Sequence, residues 1–371
     1  MKFNLRAAQL EDGLRVAVVG RLMWLDWLRY QLMRSRLAYL PAYRCSGTRK
    51  PAGRVAAELL VLALRWRCLP FHYYRYGLYE RGIGWRRVLG YLPETVFYYR
   101  LLIRLNRDTL LLDDKLVCKR VLGDAGVPQP ALLLSGDDRN CFDPTGRAVD
   151  PNAPGRLLGD DRLAVIKPAR YSSGGDGVTV LVRSGDGFTD RAGTAVSLGR
   201  YGARWGPWLI ERFVRQNSEL AALSERSLNT FRVITTWSPR RGARVEYCVL
   251  KLGSGAAVDN AHDGGLYVGV DTVTGALGDV AFDESFHRHV AHPVSGVTFR
   301  GYRVAAVRDV VALAERCAVL FPQTNLIGWD IAVDDQGALV IEGNSSPGLT
   351  NVQRTHGGVA RTLGRRLAED L

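Results

Sequence analysis

The run GWDIAVDDQGALVIEGN carries Asp330, Glu342 and Asn344 on either side of a DDQG turn. Side chains alternate faces along a strand, so Glu342 and Asn344 point the same way and the hairpin returns them beside Asp330. Three oxygen donors then converge, a set suited to hard Mg²⁺, which keeps positions for water and nucleotide phosphates. An ordinary amphipathic hairpin with solvated acids is the competing reading. Upstream, VIKPARYSSGGDGVTVL ends an apolar strand at Lys167 and follows it with Ser172, Ser173, Gly174 and Gly175. Backbone N–H groups approach phosphate oxygens closely where side chains are small, and a neighbouring lysine neutralises their charge. It is not a P-loop, because no GK[ST] follows a GxxxxG, and a bland glycine turn is the alternative. The segment WLIERFVRQNSEL adds Glu211, Arg212, Phe213 and Val214 at a strand end, with Glu219 eight residues after Glu211. Such an end can offer backbone groups to an adenine edge, and the later carboxylate can take ribose hydroxyls; most such segments are simply buried strands.

These residues need elements to hold them. LLDDKLVCKRVLGDAGVPQPALLL reads as a helix ending at Gly123 to Gly126 and then a short strand, which marks a domain entry. A loop from Ser135 to Asp161 leads to strands LAVIKP and VTVLV around the glycine turn. Further strands are expected at Trp208 to Phe213, Phe231 to Trp237 and Ala243 to Lys251, followed by a Gly-rich loop, a helix from about Val304 to Leu320, and the closing hairpin. The pattern is α+β with antiparallel pairing. From Leu14 to about Arg107, Leu, Arg and aromatics dominate and amphipathic helices are expected. RVAVVG at Arg15 to Gly20 lacks the GxGxxG of a dinucleotide fold.

Taken in order, Lys115 in DDK, Lys167 in VIKP, the SSGG loop, IERFV, Arg232 in NTFRV and the Asp330, Glu342, Asn344 set resemble the ATP-grasp superfamily. SLNTFRVITT, VDNAHDGG and IEGNSSPGL look most like its sugar-transfer-associated, glutamate-ligase-like family, over roughly residues 90 to 360. The resemblance implies two α+β subdomains gripping ATP within residues 108–371, with a lid at about 160–210, behind a basic, mainly helical region 1–107. It implies that Lys115 and Lys167 contact ATP phosphates and that Ser172 to Gly175 close over them. Glu211 to Val214 would line the adenine pocket, Glu219 would bind ribose, and Asp330, Glu342 and Asn344 would hold Mg²⁺. Arg232 would stabilise the transferring phosphoryl group, where a fixed cation counts most. Lys251 stands where related sequences often carry arginine, a point charge in place of a bidentate fork. Asn260, His262, Gly264, Gly265 and Ser346 would face the acceptor; His262 reads either as a general base or as a surface-loop histidine.

The implied activity is an ADP-forming ligase joining a carboxylate to an amine or similar nucleophile, in cell-surface polysaccharide or sugar-conjugate synthesis. A kinase-like phosphotransferase and a non-catalytic ATP-binding component of a polysaccharide assembly are the alternatives. His287, His289 and His292 in HRHVAH fit no strong zinc signature and read as an exposed loop.

Composition bounds the rest. With 47% hydrophobic and 23% charged residues the chain is an ordinary globular sequence. Residues 1 to 110 hold 20 Lys and Arg against 7 Asp and Glu, so they carry the whole formal charge of +13. Peripheral contact with an anionic membrane through these residues is one expectation, and nucleic acid is not expected because no recognition motif accompanies the charge. Six cysteines without a CxxC pair read as reduced thiols, and Arg6, Glu11, Asp12, Arg15, Arg21 and Asp26 break any signal-peptide core. Both observations give a cytoplasmic expectation, including the inner membrane face.

Overall fold

The computed structural model describes Tyr43 and residues 46–150, 162–170, 172, 175–253, 265–283 and 287–370. Helix α1 (Ala52–Trp66) begins behind Pro51 and stops where Arg67 turns into the left-handed region at φ 49°. The chain then makes short helical turns at His72–Arg75 and Trp85–Val88 and a longer helical run in which Glu94–Val96, Phe97–Leu102 and Ile103–Leu105 follow without a break. Helix is the expected state here, but Pro70, Gly77, Gly82, Gly84 and Pro93 cut it into pieces too short to stand alone. Buried Glu58 holds the pieces together, accepting Lys50 Nζ at 2.8 Å, the Tyr73 hydroxyl at 2.6 Å and Arg54 Nε at 3.1 Å. No helix among the described residues is long and apolar enough to cross a membrane.

Helix α2 (Lys115–Asp124) is capped by Asp114, whose carboxylate accepts from the backbone of Leu116 and Val117. Beyond it lie strands β1 (Leu132–Gly136), β2 (Cys141–Phe142), β3 (Leu163–Pro168), β4 (Thr179–Ser184), β5 (Gly187–Thr189) and β6 (Ala195–Val196), helix α3 (Leu198–Trp205) and strand β7 (Trp208–Arg212). They make one antiparallel sheet in the order β2-β1-β7-β3-β4-β5-β6. Helix α4 (Ser218–Leu223) leads to the second sheet: β8 (Thr230–Ser238), β9 (Gly242–Leu252), β10 (Leu266–Val270), β11 (Leu277–Phe282), β12 (Arg288–His289), then α5 (Val307–Ala318), β13 (Leu326–Asp334) and β14 (Gly337–Asn344). Its order is β12-β11-β10-β9-β8-β13-β14, again antiparallel, and α6 (Thr350–His356) and α7 (Ala360–Asp370) close the chain.

The second sheet has two unlike faces because neighbouring side chains alternate. Phe231, Val233, Leu250, Val268, Trp329 and Ile331 point to one side, where α2 and α5 complete the largest apolar cluster. Ile234, Val249 and Leu326 point to the other and are covered by Leu92, Phe97 and Leu105 of the helical region with Val352 and Leu363 from α6 and α7. The helical region and the core therefore share one apolar cluster across residue 107. Asn106 locks this joint: its amide donates to the carbonyls of Leu326 at 2.7 Å and Ser345 at 2.5 Å, and its oxygen accepts Leu326 N at 2.9 Å.

Replacing Asn106 with Ala strands three buried backbone groups, so a loss of about 2–4 kcal/mol of stability is expected. Urea denaturation of the purified variant measures it, and a loss near zero would mean that water replaces the amide.

Candidate functional site

The covered face turns polar at one end. Register pairs Glu342 of β14 with Asp330 of β13, Asp330 with Arg232 of β8, and Thr230 of β8 with Lys251 of β9, which in turn faces Tyr267 of β10. Paired residues share a face, so these side chains form a row across the sheet. Arg232 grips Asp330 through two bonds, Nε to Oδ1 at 2.6 Å and an Nη to Oδ2 at 2.9 Å, while Lys251 Nζ approaches Oδ2 at 3.4 Å. Burial opposes the charge on Asp330, but Arg232 and Lys251 outweigh it and hold its carboxyl down at about 2. The same ion pair raises Arg232 against its burial.

At the β14 end the row meets the first sheet and α2. Lys115, the first residue of α2, reaches Glu342 at 3.2 Å and donates to the Ser172 hydroxyl at 3.1 Å. One helical turn on, Lys119 binds Glu211 Oε1 at 2.7 Å and the Pro130 carbonyl at 2.6 Å. Lys167 of β3 takes the other oxygen of Glu211, next to last in β7, at 2.6 Å. It also donates to the carbonyl of Ile341 at 3.2 Å. That carbonyl lies at the irregularity where Asp330 pairs with Glu342 but Ile331 pairs with Val340, so Ile341 has no partner in the ladder. The two sheets and α2 thus border a narrow crevice lined by Lys115, Lys119, Lys167, Glu211, Glu342 and Gln129, with Leu112, Cys118, Leu122 and Val340 among its apolar walls. Gly343 permits the close packing: a Cβ there would meet Leu112 at 2.6 Å and Trp329 at 2.7 Å.

The charges do not cancel. Among the described residues that line the crevice, Lys115, Lys119 and Lys167 face Glu211 and Glu342, an excess of one positive charge. Burial would lift Glu211, yet Lys167 and Lys119 keep its carboxyl below the ordinary range. Burial lowers Lys167 less than Glu211 and Glu342 raise it, whereas burial prevails at Lys119, which ends lower than a free lysine. Two lysines share one carboxylate, and Lys119 is the less compensated of them.

The structure brings together Lys115, Lys167, Ser172, Glu211, Arg232, Lys251, Asp330 and Glu342 from the sequence-derived set. Asn344 shares their face and donates to the Gly328 carbonyl at 3.3 Å. Arg212 is exposed, the Phe213 ring lies 5.6 Å beneath the Arg191 guanidinium, and Val214 is half-buried. Glu219 sits apart in α4, its carboxylate accepting Ala305 N at 3.1 and 3.2 Å. Gly175 turns at φ 81°, Gly265 opens β10, and Ser346 is half-buried. Ser173, Gly174, Asn260, His262 and Gly264 lie outside the described residues. Sequence reasoning missed Lys119 and Gln129. The four-residue interval from Lys115 to Lys119 was the available signal for the first; nothing local marks the second.

Among the described residues no three His, Cys, Asp or Glu side chains converge as a metal centre. The hairpin instead offers two carboxylates and the Asn344 amide. Their oxygen chemistry fits a hard divalent cation, and the depressed carboxyl of Asp330 keeps it ionised as a ligand must be. His287 and His289 both contact Asp283, at 3.0 and 3.3 Å. His292 corrects the exposed-loop reading: it is 1% exposed, with Nε2 2.9 Å from the Gly253 carbonyl.

Two antiparallel units closing on a lysine-lined crevice beside an acidic hairpin are the ATP-grasp arrangement. The model of the sugar-transfer associated ATP-grasp family matches residues 97–367, and the chain belongs to that family. No curated protein matches the sequence. Similar solved structures include N5-carboxyaminoimidazole ribonucleotide synthetase from Thermotoga maritima, at 13% identity over 64% of this chain and 42% of that one, TM-score 0.35. The biotin carboxylase β-γ-ATP complex from Campylobacter jejuni is 12% identical over 71% and 47%, TM-score 0.43. The ATP-grasp ligase PsnB with minimal precursor, Mg and ADP is 14% identical over 77% and 72%, TM-score 0.40. This chain spans less than half the length of the first two.

Replacing Lys119 with Met leaves Glu211 one cation against the same burial, so its carboxyl rises from the depressed native position. In the native chain the pair stabilises the fold above about pH 4.5 and is lost below it, because Glu211 is depressed from 4.5. In the variant that depression is reduced, so its deficit in melting temperature should shrink as pH falls from about 7 through about 4.5, and Lys119→Arg should restore the native profile. Thermal melts across that range check this; a deficit independent of pH would mean that Lys119 does not hold Glu211 ionised.

Proposed function

We infer that this chain is a Mg-ATP-dependent, ADP-forming ligase that activates a carboxylate as an acyl phosphate and joins it to an amine or similar nucleophile. The observation that carries the reading is the cationic excess in the crevice, which leaves buried positive charge for a polyphosphate to balance. Membership of the family supports ATP-dependent ligase chemistry in general, and the family's description favours a role in polysaccharide or sugar-conjugate synthesis.

In this reading Lys115 and Lys167 turn from Glu342 and Glu211 to the phosphates, and the Ser172 to Gly175 turn covers them. The strand end at Glu211 to Val214 borders adenine, and Glu219 approaches ribose when the nucleotide is bound. Asp330, Glu342 and Asn344 would hold Mg²⁺, which would supply positive charge against the charge developing on the phosphates. A substrate carboxylate oxygen forms a bond to the γ-phosphorus as the bond to the β-bridging oxygen breaks, releasing ADP. Arg232 and Lys251 stand where the transferring phosphoryl group gathers negative charge, and such fixed donors act without reorganisation. The nucleophile then attacks the acyl carbon, phosphate leaves, and the amine loses a proton. The acceptor site is assigned to Asn260, His262, Gly264, Gly265 and Ser346. A stable phosphorylated product would instead identify a phosphotransferase.

Lys167→Ala and Glu342→Gln are each expected to lower ATP-dependent turnover by at least about a hundredfold with the fold intact. Incubation with γ-labelled ATP and carboxylate–amine pairs should yield ADP and phosphate in equal amounts only with both substrates present. Full activity of either variant removes the site assignment, label retained on an organic product replaces ligase by kinase, and AMP with pyrophosphate sinks both.

A further inference from the structure

Helix α1 carries a surface that the ligase chemistry does not use. Leu60 is 62% exposed, Val61 39% and Leu64 70%, and Leu69 beyond the helix end is 48% exposed. Ala57, Leu60, Val61 and Leu64 recur at three- and four-residue spacing and form one stripe, opposite the buried Val55, Glu58 and Leu62. Glu58 fixes the orientation of the helix through Lys50 and Tyr73, so the aliphatic stripe is held outward by a buried ion pair.

The segment of the chain that carries the stripe is basic. Between residues 46 and 110 ten arginines are exposed against two acids, Glu80 and Asp108. Arg65 and Arg67 flank the C-terminal end of the helix, and exposed Trp85 precedes Arg86 and Arg87. The part of the chain before residue 46 continues the bias, with 8 Lys and Arg against 3 Asp and Glu. A polyanion such as RNA would engage the arginines and gain nothing from the leucines. A bilayer carrying anionic headgroups uses both, taking aliphatic side chains at the acyl boundary and guanidinium groups at the phosphates.

We propose that α1 lays the Leu60–Leu64 stripe on an anionic phospholipid surface, with Arg65 and Arg67 contacting lipid phosphates. The proposal is independent of the ligase reading. The full chain is co-sedimented with phosphatidylcholine vesicles with and without phosphatidylglycerol, beside the double variants Leu60→Ser/Leu64→Ser and Arg65→Gln/Arg67→Gln. All four side chains are exposed, and circular dichroism melts confirm that the variants fold. Native protein is expected to bind the phosphatidylglycerol vesicles at least about tenfold more tightly than the neutral ones, less so as salt rises, with each double variant at least about tenfold weaker. Equal binding to both vesicle types, or none, overturns the proposal. So does native-like binding by the leucine variant together with loss in the arginine variant, which would identify a charge-only contact with a polyanion.

Discussion

Both oxygens of the Glu211 carboxylate are taken by lysines, Lys119 at 2.7 Å and Lys167 at 2.6 Å, in a place nearly closed to water. An unpaired carboxylate there would cost several kcal/mol, so the two lysines cannot both leave it. That constraint ties three elements into one unit: α2 through Lys119, β3 through Lys167 and β7 through Glu211. The second sheet is joined to it where Lys167 reaches the Ile341 carbonyl and Lys115 reaches Glu342. The junction between the two sheets is therefore made at the crevice by charges, and away from it by apolar packing.

A junction of this kind is suited to exchange. An ion pair between two buried side chains is weak evidence for stability, because desolvation cancels much of the attraction. An anion can draw Lys167 toward itself while Lys119 stays on Glu211, an exchange that a hydrophobic contact in the same place would not allow. The Arg232 and Asp330 pair differs, since its two parallel bonds fix the guanidinium in one orientation on the sheet. The site combines cations able to change partners with one that is held.

The helical region preceding the core contributes to the same architecture. Leu92, Phe97 and Leu105 cover the apolar end of the sheet face whose other end is the polar row, and Asn106 joins the start of β13 to Ser345 just after β14. The hairpin bearing Asp330 and Glu342 is thereby braced from behind. Ser345 adds a bond to Asp113 at 2.6 Å, next to the residue that caps α2, so the hairpin and the lysine helix are set against each other.

Short-range rules made much of this legible. Strand β3 runs over LAVIKP and ends after Lys167, α2 begins at Lys115, and the closing hairpin pairs Asp330 with Glu342, because apolar alternation and turn residues are local properties of the chain. Strands β10 to β12 were hidden, since Gly269, Gly275 and Gly278 read as loop while only pairing with β9 makes their segment a sheet. Lys119 bonds Glu211 across more than ninety positions, and the Ile341 carbonyl is freed by an irregularity in register that no composition announces. Glu219 followed its own helix to Ala305, because a carboxylate goes to the donor its neighbours present. The sequence by itself determined which charged residues exist and which strand or turn carries each one; the tertiary structure alone decided which charges share a partner, because that depends on the distances between elements.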